Sequence, residues 1–387
     1  MPAEPHAASP PAAHPRSVLM TTDAIGGVWD FSLELCRGLT SRGMAVTLAG
    51  MGPAPSADQA AAAAAIEGLT LTWRELRLEW MDDSWDDVDR AGAWLLDLES
   101  QVGADVVHLN GYAHGALPWS APVAVAAHSC VCSWWEAVRG GPAPASWDLY
   151  RNRVRAGLSG ADLVVAPTRA MLAALATHHG PVHGAVVPNG RTPADYAARP
   201  KRRFVCSAGR LWDDAKNVRM LASAAPDLPW PVYVAGDPRL ATGGGTCTGI
   251  GDVPRNLRLL GRLTPRDLRV LLSRAAICVL PAKYEPFGLT VLEAALSGCA
   301  LVVGDIPSLR ETWEDAAVFV PPDDREALVG AVRALAADDG GRADMAERAR
   351  RRAERFPAER MVAGWLDVYA SLRRTRPAPA KETACAS

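Results

Sequence analysis

Short apolar runs alternate with longer amphipathic segments along almost the whole chain. SVLMTTD, from Ser17 to Asp23, reads as a strand; Gly26-Gly27 follows as a turn, and VWDFSLELCRGLTSRG as a helix. AVTLAG from Ala45 reads as the next strand, and ADVVHLN, VAVAAH, ADLVVAPT and AVVPNG continue the series up to Gly190. Runs of Val, Ala and Leu without polar interruption suit strands buried on both faces of a parallel sheet. Strand–helix alternation with glycine at strand ends predicts a doubly wound α/β fold.

The pattern then restarts. After the polar stretch TPADYAARPKRR come RFVCSAGR, PVYVAGD, LRLLG, AAICVLP and CALVVGD. This predicts a disordered tail over 1–16, a first domain over 17–198 and a second over 199–357. A last helix over 358–374 crosses back to the first domain, and a second tail covers 375–387. A glycine-rich loop, ATGGGTCTGIGD, interrupts the second half and reads as mobile. Two doubly wound domains bring two sets of strand C-terminal ends to face one another, so the cleft between them is the expected ligand site.

Composition narrows the partners. The net charge of −2 offers no global attraction to nucleic acid or to an anionic membrane. No apolar stretch reaches transmembrane length, and the start lacks the basic-then-apolar pattern of a signal peptide. Eight scattered cysteines suggest a reducing cytoplasm rather than a disulfide framework. Cys130 and Cys132, one residue apart, fit neither the common zinc spacings nor a redox CxxC. Basic charge is almost wholly arginine; the only lysines are Lys201, Lys216, Lys283 and Lys381.

The densest chemistry lies in AKYEPFGLTVLEAALSGCALVVGD, Ala282 to Asp305. It follows a strand and opens a helix, so amides near Phe287, Gly288 and Leu289 are predicted to point into the cleft. Free amides at a helix N-terminus suit a diphosphate. Glu285 and Glu293, eight residues apart, suit two hydroxyl-bearing parts of one ligand, although Thr290 to Glu293 equally fits a capping box.

This segment resembles the EX7E signature of family 4 glycosyltransferases, retaining enzymes of the GT-B fold. AGRLWDDAKN resembles the family's GRLxxxKN with one extra residue before the lysine, VVPNG resembles its interdomain VIPNG, and GGVWDFSLELCRGLTSRGMAVTLAG resembles its opening. LLGRLTPRDLRVLLSRAAICVLPAKYEPFGL follows its second-domain layout. Arg191-Thr192 departs from the hydrophobic residue and Asp that often follow this asparagine-glycine in the family.

The resemblance implies two Rossmann-like domains facing across a cleft. Its implied activity is retaining, metal-independent transfer of a hexose-type sugar from a nucleotide diphosphate, UDP or GDP, to an acceptor hydroxyl. Arg210 and Lys216 would hold the diphosphate, Glu285 the sugar, and Glu293 the ribose. Gly209, Phe287, Gly288, Leu289 and Thr290 would line the donor, Gly26 and Gly27 would form the turn beneath it, and His128 would face the sugar. No cofactor beyond the co-substrate and no metal is implied.

The first domain would take the acceptor. Nine of thirteen tryptophans precede Asn189. Asn110, Tyr112 and His114 follow one strand; Trp134 and Glu136 follow the next. Aromatic faces with a few polar groups suit a soluble sugar, polyol or small molecule, and core packing explains each tryptophan taken singly as well. Few basic residues follow Gly27, which favours a soluble acceptor over stable membrane insertion. A non-catalytic nucleotide-sugar scaffold and a GT-B epimerase or phosphorylase are the competing readings.

Overall fold

In the computed structural model, residues 15–237 and 253–375 are described. The glycine-rich loop, Cys247, Cys385 and most of both tails fall outside them. Arg16, expected in the tail, is held in the fold: its N–H donates to Asp105 Oδ2 at 2.6 Å, and its carbonyl accepts from the Ala45 N–H at 2.8 Å. Likewise Thr375 closes the last helix rather than opening a tail.

The first sheet contains β1 (Ser17–Asp23), β2 (Ala45–Met51), β3 (Leu69–Arg74), β4 (Val106–Leu109), β5 (Val123–Ala126), β6 (Leu163–Ala166) and β7 (Gly184–Val186). All its pairings are parallel, in the order β3-β2-β1-β4-β5-β6-β7. The second contains β8 (Arg202–Ala208), β9 (Val232–Ala235), β10 (Leu257–Gly261), β11 (Ala275–Leu280), β12 (Ala300–Gly304) and β13 (Val318–Val320). It is also all parallel, in the order β10-β9-β8-β11-β12-β13. The chain therefore builds the same order twice, reversing direction between β1 and β4 and again between β8 and β11. At such a reversal the loops leave in opposite directions and open a crevice.

β4, β5, β11 and β12 are buried along their whole length, which is why their sequences carry no polar alternation. The helix Ala358–Thr375 returns to the first domain. There Met361, Val362, Trp365, Tyr369 and Leu372 pack with Phe31, Leu35 and Leu39 in one buried cluster. Backbone passes between the domains at Arg191 and again at Phe356–Ala358, and the two passages bond to each other: Arg191 N–H to Phe356 O at 3.1 Å and Ala358 N–H to Arg191 O at 2.9 Å. A Cβ on Gly190 would sit 2.5 Å from the Pro357 carbonyl oxygen, so the glycine of VVPNG is what lets the passages touch. No described helix is long and apolar enough to cross a membrane.

Candidate active site between the two crossovers

The loops after β8 and β11 meet. Lys216, on the turn following β8, donates from Nζ to Glu285 Oε2 at 2.6 Å, and both side chains are mostly buried. The extra residue before the lysine therefore leaves it within reach of the loop after β11. Glu285 turns its other oxygen back on its own chain, accepting from the Gly288 N–H at 2.9 Å and the Phe287 N–H at 3.4 Å. This corrects the expectation that those two amides stand free. A carboxylate three residues ahead of a helix start is close enough to satisfy its orphan donors. Glu285 thus lies where the helix N-terminus and the Lys216 ammonium both favour negative charge.

Gly288, at φ 89°, is the cap residue of the helix Leu289–Leu296, and Thr290 lies inside that helix. The capping-box alternative for Glu293 is excluded by this position. Instead, Glu293 Oε1 accepts from Arg191 Nε at 2.7 Å, and Arg191 and Glu293 are 4% and 8% exposed. Burial opposes the Arg191 cation, but Glu293, Tyr196 and Asp30 outweigh it, and its pKa is raised. Thr192 Oγ1 donates to Glu34 Oε1 at 2.6 Å. The two residues that depart from the family pattern are thus the ones joining the helix Gly27–Thr40 to the second domain.

Arg210 reaches across the cleft. A Cβ on Gly26, at φ 79°, would lie 3.3 Å from Arg210 Nη1, and one on Gly27 3.4 Å from Leu289 Cδ1. The turn after β1 therefore faces the donor-loop residues, with a backbone that only glycine adopts without strain. Arg210 Nη2 donates to Asp213 Oδ2 at 2.8 Å, while its Nε is buried with no partner among the described residues. Lys216 also borders Asp213: burial pushes that carboxyl up, but Arg210 and Lys216 prevail and hold it below its usual value. Asp23, at the end of β1 on the first-domain side, is raised to about 6 by burial, against the Ile25 N–H and Arg210. A Cβ on Gly209 would lie 3.6 Å from Lys216 Cγ, so Gly209 borders the same group.

His128 belongs to a neutral network. Asn110 Nδ2 donates to Thr21 O at 2.6 Å and Ser32 Oγ at 3.2 Å, which fixes Oδ1 as the acceptor for His128 Nε2 at 2.7 Å and His108 Nε2 at 3.1 Å. Both imidazoles then carry hydrogen on Nε2, and His108 Nδ1 accepts from Tyr369 Oη at 2.6 Å. Burial holds the pKa of His128 down to about 4; burial, and then His128 itself, holds His108 down to about 3.

The acceptor candidates disperse. Tyr112 is buried with its hydroxyl donating to Ser129 O at 2.7 Å, and His114 Nε2 is 2.9 Å from Val88 O. Trp134 Nε1 donates to Asp213 Oδ1 at 2.9 Å, bracing the domain interface, and exposed Glu136 pairs with His178 at 3.0 Å. Asn110 and His114 do border a small cavity of about 50 Å³, with Asp23, Arg77, Glu79 and Trp80. Glu79, which sequence reading passed over, accepts from the Tyr112 and Ala113 N–H groups at 2.8 to 3.1 Å.

Two facing crossovers, with a glycine turn on one side and paired cations on the other, define a GT-B protein. Structural comparison agrees on the fold. A sucrose-phosphate synthase from Thermosynechococcus elongatus superposes with a TM-score of 0.76 at 17% identity, covering 93% of this chain and 100% of that one. Anabaena HepE, solved with UDP and glucose, gives 0.75 at 15% identity, covering 92% and 100%.

Residues 25–194 match the profile described as Glycosyltransferase Family 4 and residues 190–352 the one described as Glycosyl transferases group 1, and the chain belongs to the family 4 type of GT-B glycosyltransferases. Among curated relatives, a Mycobacterium tuberculosis glycogen synthase is 36% identical over 125 residues, 32% of this chain and 30% of that protein. A phosphatidyl-myo-inositol mannosyltransferase from Mycolicibacterium smegmatis is 28% identical over 200 residues, 47% and 50% of the two. These matches span between about a third and a half of those relatives' length.

Proposed function

We propose that this chain is a retaining glycosyltransferase that moves a hexose-type sugar from a nucleotide diphosphate, UDP or GDP, to a hydroxyl of a soluble sugar, polyol or small molecule. The observation that carries the reading is the convergence of Arg210, Lys216, Glu285 and the Gly288 helix start opposite the Gly26-Gly27 turn. Arg210 and Lys216 meet the negative charge that grows on the diphosphate as the anomeric carbon–oxygen bond breaks; fixed cations in a partly buried site suit that task without a metal. The unpaired Arg210 Nε is a donor available for a phosphate oxygen. Donor binding draws Glu285 from the Phe287 and Gly288 amides onto sugar hydroxyls and frees those amides, with Leu289 and Thr290 beside them.

His128, neutral at working pH, hydrogen-bonds the sugar, and Glu293 receives the ribose on the arm that Arg191 holds. The acceptor oxygen attacks the face from which the diphosphate departs, and the leaving phosphate oxygen takes the acceptor proton. The retained configuration follows from that shared face. The UDP-and-glucose complex of HepE supports a UDP-type donor, and the inositol-directed names among the relatives support a polyol acceptor.

A thermal-shift panel of UDP-, GDP-, ADP- and dTDP-sugars tests the donor. A ligand at a hundredfold over its dissociation constant stabilises a protein by about 2.7 kcal/mol, and Lys216→Ala is expected to abolish that shift. A shift with no turnover moves the non-catalytic scaffold forward, and no shift with any donor, with or without acceptor present, overturns the donor-binding reading. An inverted anomeric configuration in the product, read by NMR, overturns the mechanism.

A further inference from the structure

Cys130 and Cys132 gain a third neighbour from the fold: His179, at the end of the helix Arg169–His179. Cys130 Sγ lies 3.2 Å from His179 Nε2, and the potential ligand atoms of all three residues lie within 4.8 Å of one another. All three are buried, at 1%, 2% and 5% exposure. A buried cysteine alone is explained as a small hydrophobe. A buried imidazole is not, because its polar nitrogens need partners. His179 Nδ1 has none among the described residues, and its Nε2 faces only a thiol. The one hydrogen-bond contact given for the imidazole is thus to the Cys130 thiol, and its other nitrogen is left unmatched.

We propose that Cys130, Cys132 and His179 bind a thiophilic divalent cation, zinc by preference. Two sulfurs and one imidazole nitrogen form a borderline-soft donor set that suits zinc. Tetrahedral bonds of about 2.0–2.3 Å put neighbouring ligand atoms roughly 3.5 Å apart, beside the 3.2 Å between Cys130 Sγ and His179 Nε2 and within the 4.8 Å that bounds all three. Three protein ligands leave one position for water or a small anion. Cys130 caps the helix Val131–Arg139 and Cys132 lies in its first turn.

The ion braces the domain interface. Its ligands join two helices that both touch the second domain: the Cys130 N–H donates to Tyr284 Oη at 3.0 Å, and the N-termini at Arg169 and Ala170 donate to Glu311 at 2.9 and 3.0 Å. Tyr284 immediately precedes Glu285, so metal occupancy steadies the donor loop from behind. It takes no part in the transfer itself.

The experiment uses the untagged full-length chain produced with zinc, desalted, and assayed by elemental mass spectrometry. The apoprotein is then titrated with Co²⁺. About one zinc per chain is expected, together with a near-ultraviolet thiolate-to-cobalt band. Cys132→Ser weakens the band, His179→Gln shifts the visible bands, and each lowers zinc affinity by more than about tenfold, while Cys36→Ser leaves both readings unchanged. The proposal is overturned if the wild type retains no zinc and gives no thiolate band, or if zinc content is the same in both ligand variants. The wild-type cobalt spectrum decides the matter even if a variant fails to fold.

Discussion

The second domain and the first use the same crossover for different kinds of chemistry. After β8 and β11, charged groups face one another across a few ångströms, Lys216 on Glu285 and Arg210 on Asp213, and Arg191, arriving from the loop after β7, pairs with Glu293. In the first domain, β4 and the loops after β4 and β5 hold a neutral network, with Asn110 serving His128 and His108, and His108 serving Tyr369 of the returning helix. All eight histidines precede Arg191, and the second domain has none. Partly buried ions hold position by pairing and remain able to exchange one partner for a charged ligand. A buried neutral network holds shape by having every donor matched, and gains nothing from an ionic ligand. The contrast assigns charge handling to one domain and shape to the other.

The largest effect is expected where the two regions join. Arg191→Ala leaves Glu293 buried without its cation, a change that costs about 3–5 kcal/mol for buried pairs; a chemical denaturation midpoint close to wild type would remove Arg191 from the interface. Lys216→Ala acts on the charged side alone. Turnover should fall by roughly 10²–10³-fold while circular dichroism stays unchanged, as for loss of one preorganised charge-stabilising group.

Acid also reaches the neutral side through its two imidazoles. His108 and His128 have folded pKa values of about 3 and 4, below the unfolded value of 6.5. The unfolded chain binds more protons below 6.5, so stability is full above that pH and is lost as pH falls toward the folded values. About 2 kcal/mol per imidazole goes by pH 5, the discount for partial exposure of His128 aside. Hydrogen exchange at pH 5 should open the first domain before the second, and Tyr369→Phe should bring that opening to higher pH. The smallest effect is Trp134→Phe, which removes one interdomain hydrogen bond to Asp213 and should lower stability by about 1 kcal/mol without changing the acid response.

Much of the plan was legible from the chain alone. Uninterrupted runs such as AAICVLP and CALVVGD marked central strands, because strands buried on both faces admit no polar alternation. The two strands that escaped notice, β3 and β13, lie at sheet edges, where partial exposure blurs the pattern: LTLTWR is half threonine and arginine, and VFV is three residues long. Lysine scarcity drew attention to Lys216, which meets Glu285. It gave no hint that Lys201 donates to the Leu272, Ser273 and Ser297 carbonyls, tying backbone inside the second domain. Tryptophan density suggested an acceptor platform, yet Trp119 is buried and Trp134 braces an interface.

The sequence by itself determined the repeated strand–helix alternation and the positions where Arg210, Lys216, Glu285 and the glycine turn would fall, because strand ends and helix starts are local features. The tertiary structure decided which partner each charge takes. Arg191 meets Glu293 across 102 positions, and Cys130 meets His179 across 49. Pairings of that range depend on how two separately wound sheets and the helices between them come to rest, and no local period in the chain records it.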